Sequence, residues 1–274
     1  MKQLSPIGVF DSGYGGLTIL KEIRKFLPQY DFIYLGDNAR TPYGTRSFET
    51  VYQYTKECVN WLFEQNCSLV ILACNTASAK ALRTIQQKDL PGINSNKRVL
   101  GVIRPTAEII GNFTRSDHIG ILATNGTVQS GSYLIEIEKF FPGIQIFQQA
   151  CPLWVPLVEN DEIESEGADF FIKKDIEKLL KKSAKIDTIL LACTHYPLLL
   201  RKIKKYLPAG IKVISQGEIV AKSLYDYLKR HPEMENKCSQ NASLHFFTTD
   251  SMVDFDKHSA LFYGEKLNSI HIDL

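Results

Sequence analysis

The sequence predicts an α/β protein of two lobes related by a pseudo-twofold axis, each a mostly parallel sheet flanked by helices. Apolar runs rich in β-branched residues alternate with helical patterns along most of the 274 residues, which is typical of βαβ units. Two strand endings are similar, Leu-Val-Ile-Leu-Ala-Cys at 69–74 and Ile-Leu-Leu-Ala-Cys at 189–193. Two strand beginnings match in the same order, Ile-Gly-Val-Phe at 7–10 and Ile-Gly-Ile-Leu at 119–122. The isoleucine and the cysteine are 67 residues apart in the first half and 74 in the second, so we predict two similar lobes that face a shared cleft.

The elements of the first half follow from hydrophobic periodicity and from their stop signals. In the first helix, Leu17, Leu20 and Ile23 recur at helical spacing, and Pro28 ends the pattern. Short apolar runs bounded by polar or turn residues are read as buried strands. The elements predicted here are strands at 7–10, 32–35 and 69–73 and helices at 17–27, 48–65 and 77–87.

A polar, turn-rich interval at 90–97 predicts the boundary between the lobes. The residues after 211 are too few for a third core, so we expect them to pack back on one lobe. The predicted domains are 1–98 plus 212–274, and 99–211. The stretch 231–243, rich in charged and amide side chains, predicts an exposed loop or a disordered insertion. The elements predicted here are strands at 99–103, 118–123, 144–148, 188–191, 213–214 and 244–248, a helix at 217–229 and a final helix.

Composition narrows the class of protein. With 44% hydrophobic and 23% charged residues, the chain has the composition of an ordinary globular protein. The net charge is only +2, and the lysines recur at helical spacing among apolar residues, which favours solvated helix faces over a nucleic-acid-binding surface. No apolar run approaches the roughly 18 residues of a membrane span, and the N-terminus lacks the apolar stretch of a secretory signal. We therefore expect a cytoplasmic protein that requires neither a membrane nor a nucleic acid.

The six cysteines are even in number but scattered in the sequence. The size of the chain and the absence of a signal argue against a disulfide framework. No Cys-x-x-Cys pair and no cluster of histidine and cysteine at zinc spacing is present, so we expect no metal site.

Cys74 and Cys193 are the main candidates for chemistry. Each follows a strand and precedes a helical pattern, and the carboxyl ends of parallel strands are where α/β folds bind ligands. A thiol at a helix N-terminus is expected to be more acidic than usual. The polar side chains next to the two thiols can cap a helix or hold a ligand carboxylate; they are Asn75, Thr76, Thr194 and His195.

Two further strand ends carry polar residues. Asp11 opens the sequence Asp-Ser-Gly-Tyr-Gly-Gly, which is neither a Walker A loop nor a dinucleotide-binding motif. Asp11 is interpreted either as a helix cap or as a partner for an ammonium group or a catalytic proton. The loop 36–44, which contains Asp37 and Arg40, either faces a ligand or only shapes itself. Glu159 is interpreted either as a carboxylate behind the site or as the first exposed residue after an apolar run.

Two thiols that flank one small ligand suit a specific reaction. A single nucleophilic thiol needs only a neighbouring base, and a redox pair needs Cα atoms closer than about 7 Å. Thiols on opposite faces of one carbon can instead remove a proton from one side and deliver a proton to the other, which inverts a stereocentre. This scheme requires no metal or organic cofactor.

The chain resembles the glutamate racemases of the cofactor-independent aspartate/glutamate racemase superfamily. The resemblance rests on Gly-Val-Phe-Asp-Ser-Gly-Tyr-Gly-Gly-Leu at 8–17, Gly-Asp at 36–37 with Pro-Tyr-Gly at 42–44, Ala-Cys-Asn-Thr-Ala-Ser at 73–78 and Cys-Thr-His-Tyr-Pro at 193–197. It implies that Cys74 and Cys193 are the acid/base pair, and that Asp11, Glu159 and His195 tune them. It also implies a homodimer, a bacterial source and a role in supplying D-glutamate for peptidoglycan. The substrate-binding residues that it implies are Asp11, Ser12, Pro42, Tyr43, Gly44, Asn75, Thr76, Thr124, Thr194 and His195.

Some positions depart from the family pattern, and two other functions stay open. Ala192 stands where glycine is common, and Ser-Gln-Gly-Glu at 215–218 replaces an Asp-Ser/Pro-Gly pattern. One alternative function is a racemase for another amino acid such as aspartate. The other is a two-lobed amino-acid binding module without catalysis, for which paired thiols are unnecessary.

Overall fold

The computed structural model describes residues 4–93 and 96–274. Within these ranges, ten strands form a sheet of six and a sheet of four, and all of the strand pairings are parallel. The strands are β1 (Ile7–Asp11), β2 (Phe32–Gly36), β3 (Leu69–Leu72), β4 (Arg98–Gly101), β5 (His118–Ala123), β6 (Gln145–Ala150), β7 (Thr188–Ala192), β8 (Lys212–Ile214), β9 (Leu244–Thr248) and β10 (Ser269–His271).

The two sheets share one strand order. The first sheet runs β10-β9-β2-β1-β3-β4 and the second runs β6-β5-β7-β8. The stretch β2-β1-β3-β4 therefore corresponds strand by strand to β6-β5-β7-β8, with β1 equivalent to β5 and β3 to β7. The prediction of two similar α/β lobes is confirmed, and the final strands β9 and β10 extend the first sheet beyond the shared pattern.

Helices cover the sheets. The described helices are α1 (Leu17–Phe26), α2 (Phe48–Glu64), α3 (Asn75–Lys80), α4 (Leu82–Thr84), α5 (Leu90–Ile93), α6 (Ile103–Ala107), α7 (Asn125–Ser130), α8 (Ser132–Phe140), α9 (Trp154–Glu159), α10 (Glu166–Leu180), α11 (Leu200–Tyr206), α12 (Gly217–Arg230), α13 (Pro232–Glu235) and α14 (Met252–Tyr263). In α1 the predicted apolar face is buried, and Arg24 and Lys25 in the last turn complement the helix dipole. One buried apolar cluster includes residues from both lobes, among them Val9, Leu122 and Leu191, so the lobes pack on a common core.

The strand pairings cross both predicted lobe boundaries. β4 pairs with β3 of the first sheet, although we assigned residues from 99 onward to the second lobe. β8 pairs with β7 of the second sheet, although we assigned residues from 212 onward to the first lobe. Each is the fourth strand of the shared pattern. An edge strand of three or four residues has no sequence feature that identifies the sheet it joins. We therefore assigned both strands to the wrong lobe.

Three local predictions between residues 75 and 103 differ from the structure. The helix predicted at 77–87 begins two residues earlier, because Cys74 caps it, and it is interrupted after Lys80. A π-helical turn at Ile85–Asp89 precedes α5, so 90–93 is helical and not a turn; residues 94–95 lie outside the described ranges. The strand predicted at 99–103 ends at Gly101, and α6 begins at Ile103.

The stretch 231–243 is not an exposed loop. It contains α13, and it buries Met234 and Cys238 against the first lobe. The carboxylate of Asp31 accepts hydrogen bonds from Asn241 and Ser243 and so ties the end of the stretch to the start of β2. The sequence suggested a loop because Met234 and Cys238 are separated by three polar residues.

Candidate active site

One cavity collects residues that directly follow strands of both sheets. Its volume is about 70 Å³. Cys74 follows β3 and Cys193 follows the equivalent β7, and both line this cavity. Each thiol is 6% exposed, so both are shielded from bulk water but face the same space.

Cys74 occupies the N-cap position of α3. Its Sγ accepts a hydrogen bond from the backbone N–H of Ala77 at 3.4 Å and lies 3.5 Å from the Ser12 hydroxyl. We expected the helix N-terminus to make this thiol more acidic, and this expectation is wrong. Burial and the nearby carboxylate of Asp11 raise the pKa of Cys74 to about 12, because they outweigh the opposing contacts with Ser12 and Ala77. Cys74 is therefore a thiol at neutral pH.

Cys193 has a different neighbour. Its Sγ lies 4.0 Å from Nδ1 of His195, and Nε2 of the same ring lies 2.9 Å from the carboxylate of Glu159. Burial alone would lower the pKa of His195, but the contacts with Cys193 and Glu159 raise it to about 10. His195 is consequently a cation at neutral pH.

Asp11 lies behind the cavity wall. It is fully buried, accepts a hydrogen bond from Gly13 N–H at 3.1 Å and has one carboxylate oxygen without a partner among the described residues. Burial raises the pKa of Asp11, ahead of the opposite effect of His195. A Cβ on Gly16 would approach Cβ of Asp11 to 2.5 Å, so this glycine is needed for the chain to pass.

The loop after β2 is shaped by a buried ion pair. Asp37 is fully buried and accepts a hydrogen bond from Nε of Arg40 at 2.7 Å and another from the Tyr43 hydroxyl. The hydroxyl of Tyr43 is thus engaged by Asp37. The loop places Tyr43 and Gly44 in the cavity wall, where Gly44 packs against Thr124 of the second lobe. The loop therefore does not only shape itself, because the segment that the ion pair holds lines the cavity.

Hydroxyl and amide groups cross the seam between the lobes. The hydroxyl oxygens of Thr76 and Thr124 are 2.9 Å apart, and Thr124 caps α7 as Cys74 caps α3. Asn75 donates to the side chain of Gln216 at 2.8 Å and accepts from the Tyr133 hydroxyl at 2.6 Å.

Most of the predicted site residues surround the cavity. Asp11 and Glu159 are not among its described lining residues, and each stands behind a lining residue, Asp11 near Cys74 and Glu159 against His195. The predicted residues that line it are Ser12, Pro42, Tyr43, Gly44, Cys74, Asn75, Thr76, Thr124, Cys193, Thr194 and His195.

Sequence reasoning missed several residues at this site. Cys151 follows β6 and lines the cavity as a third thiol. Gln216 and Tyr133 were not predicted at all, because their partners come from distant segments. The departure from the family pattern at 215–218 was the available signal for Gln216.

Two equivalent lobes that each bring a thiol to one cavity form the arrangement that we expected of an isomerase that inverts a carbon centre. A model of the Asp/Glu/Hydantoin racemase family matches residues 17–224, which is most of the chain. The chain belongs to this family and is a racemase.

Relatives match almost the whole chain. A curated glutamate racemase from Geobacter metallireducens is 40% identical over 266 residues, which cover 97% of this chain and 95% of the relative. Among solved structures, a glutamate racemase isoform from Bacillus anthracis matches with a TM-score of 0.89 and 34% identity, with 98% of each chain covered. A glutamate racemase from Francisella tularensis in complex with D-glutamate matches with a TM-score of 0.86 and 31% identity, covering 98% of this chain and 97% of the other.

None of the helices in residues 4–93 and 96–274 combines the length and the apolar character that a membrane span requires.

Proposed function

We propose that this racemase interconverts L-glutamate and D-glutamate by proton transfer between two cysteines. The observation that carries the proposal is that Cys74 and Cys193, at equivalent strand ends of the two lobes, line the same cavity. The relatives named above support glutamate as the substrate, since they are glutamate racemases over nearly the full length and one of them is complexed with D-glutamate.

In the proposed reaction, a thiolate on one side removes the α-proton, and the electron pair of the broken C–H bond passes to the α-carbon. The thiol on the other side gives its proton to the opposite face of that carbon, which completes the inversion. The first sulfur has gained a proton and the second has lost one. The reverse reaction therefore begins from the state in which the forward reaction ends.

The two thiols have different neighbours, and the proposal assigns them different roles. Cys74, held as a thiol by burial and Asp11, is the proton donor of the resting enzyme. Cys193 beside the His195 cation is the base. A two-base mechanism requires one sulfur as acid and the other as base, and the proposal assigns these roles to Cys74 and Cys193. Asp11 and Glu159 act as tuners of the two thiols.

Hydrogen-bond donors at the cavity wall suit the carboxylates of an amino acid. The backbone N–H groups at the starts of α3 and α7 and the hydroxyls of Ser12, Thr76, Thr124 and Thr194 are available to bind and orient it. The same donors offset the charge that develops as the α-proton leaves. No metal or organic cofactor enters this scheme.

The biological part of the proposal is the supply of D-glutamate for peptidoglycan in the cytoplasm of a bacterium. All six cysteines are free thiols, which suits a reducing compartment. A homodimer remains a prediction, which sedimentation of the purified chain would test.

The test follows both enantiomers by circular dichroism. We expect wild type to racemise L- and D-glutamate, and Cys74→Ser and Cys193→Ser each to lose about 10³-fold or more in both directions. Cys238→Ser is the matched control, since this buried thiol lies in the 231–243 segment away from the cavity, and it should retain activity. Full activity in either cavity variant would refute the two-cysteine scheme.

The two alternative functions predict different results. An enzyme for aspartate would racemise L-aspartate and leave glutamate unchanged. A binding module would bind glutamate, for example by calorimetry, without exchanging its α-proton in deuterated water.

A further inference from the structure

Three side chains at the seam between the lobes form a closed ring of hydrogen bonds. Asn75 Nδ2 donates to Gln216 Oε1 at 2.8 Å, Gln216 Nε2 donates to the Tyr133 hydroxyl at 2.8 Å, and that hydroxyl donates to Asn75 Oδ1 at 2.6 Å. We call these three residues the amide ring. All three are buried, with exposures of 2%, 3% and 0% for Asn75, Gln216 and Tyr133.

The direction of the ring is fixed by the backbone. Gln216 Nε2 also lies 3.2 Å from the carbonyl oxygen of Val102 and 2.9 Å from the Thr106 hydroxyl. A carbonyl oxygen can only accept, so the nitrogen end of Gln216 must face Val102 and its oxygen end must face Asn75. Asn75 must then turn its nitrogen toward Gln216 and its oxygen toward Tyr133. The orientation of one amide therefore determines the orientation of the other.

Gln216 contributes to the ring and not to its own helix. It occupies the N-cap position of α12, yet its side chain makes no capping hydrogen bond. Burial raises the pKa of Tyr133, so its hydroxyl keeps the proton that it donates to Asn75.

Asn75 is the member of the ring that reaches the cavity. It follows Cys74 directly and lines the cavity with it. The ring occupies its oxygen and one of its two N–H groups, which leaves the second N–H for a ligand. If the amide were turned over, an oxygen would stand in place of this N–H and would repel a carboxylate.

We propose that Gln216 and Tyr133 are positioning residues that hold the Asn75 carboxamide with its spare N–H free to donate to a substrate carboxylate. This inference rests on the proposed function, because the ligand that it orients is the amino acid. Asn75 follows β3 of the first sheet and Gln216 follows β8 of the second, so the orientation is set where the strand ends of the two sheets meet.

A double-mutant cycle on D-glutamate racemisation tests the inference. Gln216→Ala and Tyr133→Phe should each raise KM about tenfold, the loss of one oriented hydrogen bond, with kcat changed less than about threefold. In an Asn75→Ala background, Gln216→Ala should change KM by less than about twofold, because the group that it orients is gone. A Gln216→Ala effect of the same size in both backgrounds would overturn the inference. So would an unchanged KM in both single variants.

Controls separate positioning from folding. Tyr30→Phe removes another buried tyrosine hydroxyl, which donates to Glu235 far from the cavity, and should leave KM unchanged. If Gln216→Ala fails to fold, the double-mutant cycle is measured with Tyr133→Phe and Asn75→Ala, since Tyr133→Phe removes only one oxygen atom.

The same experiments distinguish this inference from the proposed function. If the wild type is active but the effects of Gln216→Ala and Asn75→Ala on KM are additive, the inference about the amide ring is refuted and the proposed function stands. Inactive wild type that still binds D-glutamate refutes racemisation, and calorimetric affinities of the same variants then decide on the ring. A wild-type chain that neither racemises nor binds glutamate refutes both.

Discussion

Replacing Glu159 by glutamine should lower the pKa of His195 and leave the shape of the site unchanged. Glutamine has the size of glutamate and keeps an oxygen that can accept from Nε2, but it removes the negative charge 2.9 Å from the ring. The side chains are 5% exposed for His195 and 16% for Glu159, so solvent screens the pair only weakly. A charge-assisted hydrogen bond in such a place contributes about 2 kcal/mol, which corresponds to about 1.5 pH units.

The pH dependence of stability follows from the direction in which the pKa of His195 is shifted. The folded-state pKa of His195, about 10, lies above the ordinary value near 6.5. The pair with Glu159 therefore stabilises the fold fully below about pH 6.5, and this stabilisation is lost as pH rises toward 10. In Glu159→Gln, we expect His195 to lose its proton near pH 8.5, and the alkaline limb of kcat/KM to move in the same direction.

The assay is an NMR titration of the His195 ring, with its signal assigned by its loss in His195→Asn. Glu162→Gln serves as the control, because this glutamate lies in the same segment but is exposed. The control should titrate as wild type does. Identical midpoints for wild type and Glu159→Gln would refute the reasoning that Glu159 keeps His195 charged.

Three other perturbations have defined outcomes. Gly15→Ala should abolish most activity at unchanged fold, because its Cβ would lie 2.5 Å from Nδ1 of His195, whereas Gly92→Ala, with nothing within 4 Å, should have no effect in the same racemisation assay. Arg40→Ala removes the cationic partner of the buried Asp37 carboxylate and should cost about 3 kcal/mol of unfolding free energy by urea denaturation; a loss below about 1 kcal/mol would contradict this. Hydrogen bonds from residues 114–116 outweigh burial and lower the pKa of Asp187 to about 2, so its stabilising effect is present above about pH 4 and is lost as pH falls toward 2. Asp187→Asn should therefore lose stability at pH 7 and flatten the acid limb of Tm against pH, and an unchanged acid limb would count against the assignment.

The features that could be predicted from the sequence are those that depend on neighbouring residues and that occur in both halves of the chain. The Ala-Cys strand ends at 73–74 and 192–193 each combine an apolar strand, a thiol and polar cap residues within ten positions, and both reach the cavity. The shared strand order of the two sheets is the architecture that this repeat predicted. Short-range signals of this kind predict the structure because they depend on residues that are close in the sequence.

What sequence reasoning missed depends on distant partners. Gln216 meets Asn75 and Tyr133 only because three separate segments converge, and no local pattern marks that meeting. The raised pKa of Cys74 is of the same kind, since the helix N-terminus is visible in the sequence but the burial and the Asp11 carboxylate that oppose it are not. The four-residue strand β4 and the three-residue strand β8 were assigned to the wrong sheet for want of any sequence signal of their neighbours.

The unlike surroundings of the two thiols have a thermodynamic consequence. In water, enantiomers have equal free energy, so a racemase cannot favour one of them at equilibrium, however different the Asp11 side and the His195 side are. The ratio kcat/KM must then be identical for the two directions. Any inequality between the two sides can appear only as a kcat and a KM that both rise, or both fall, by one common factor when the direction is reversed.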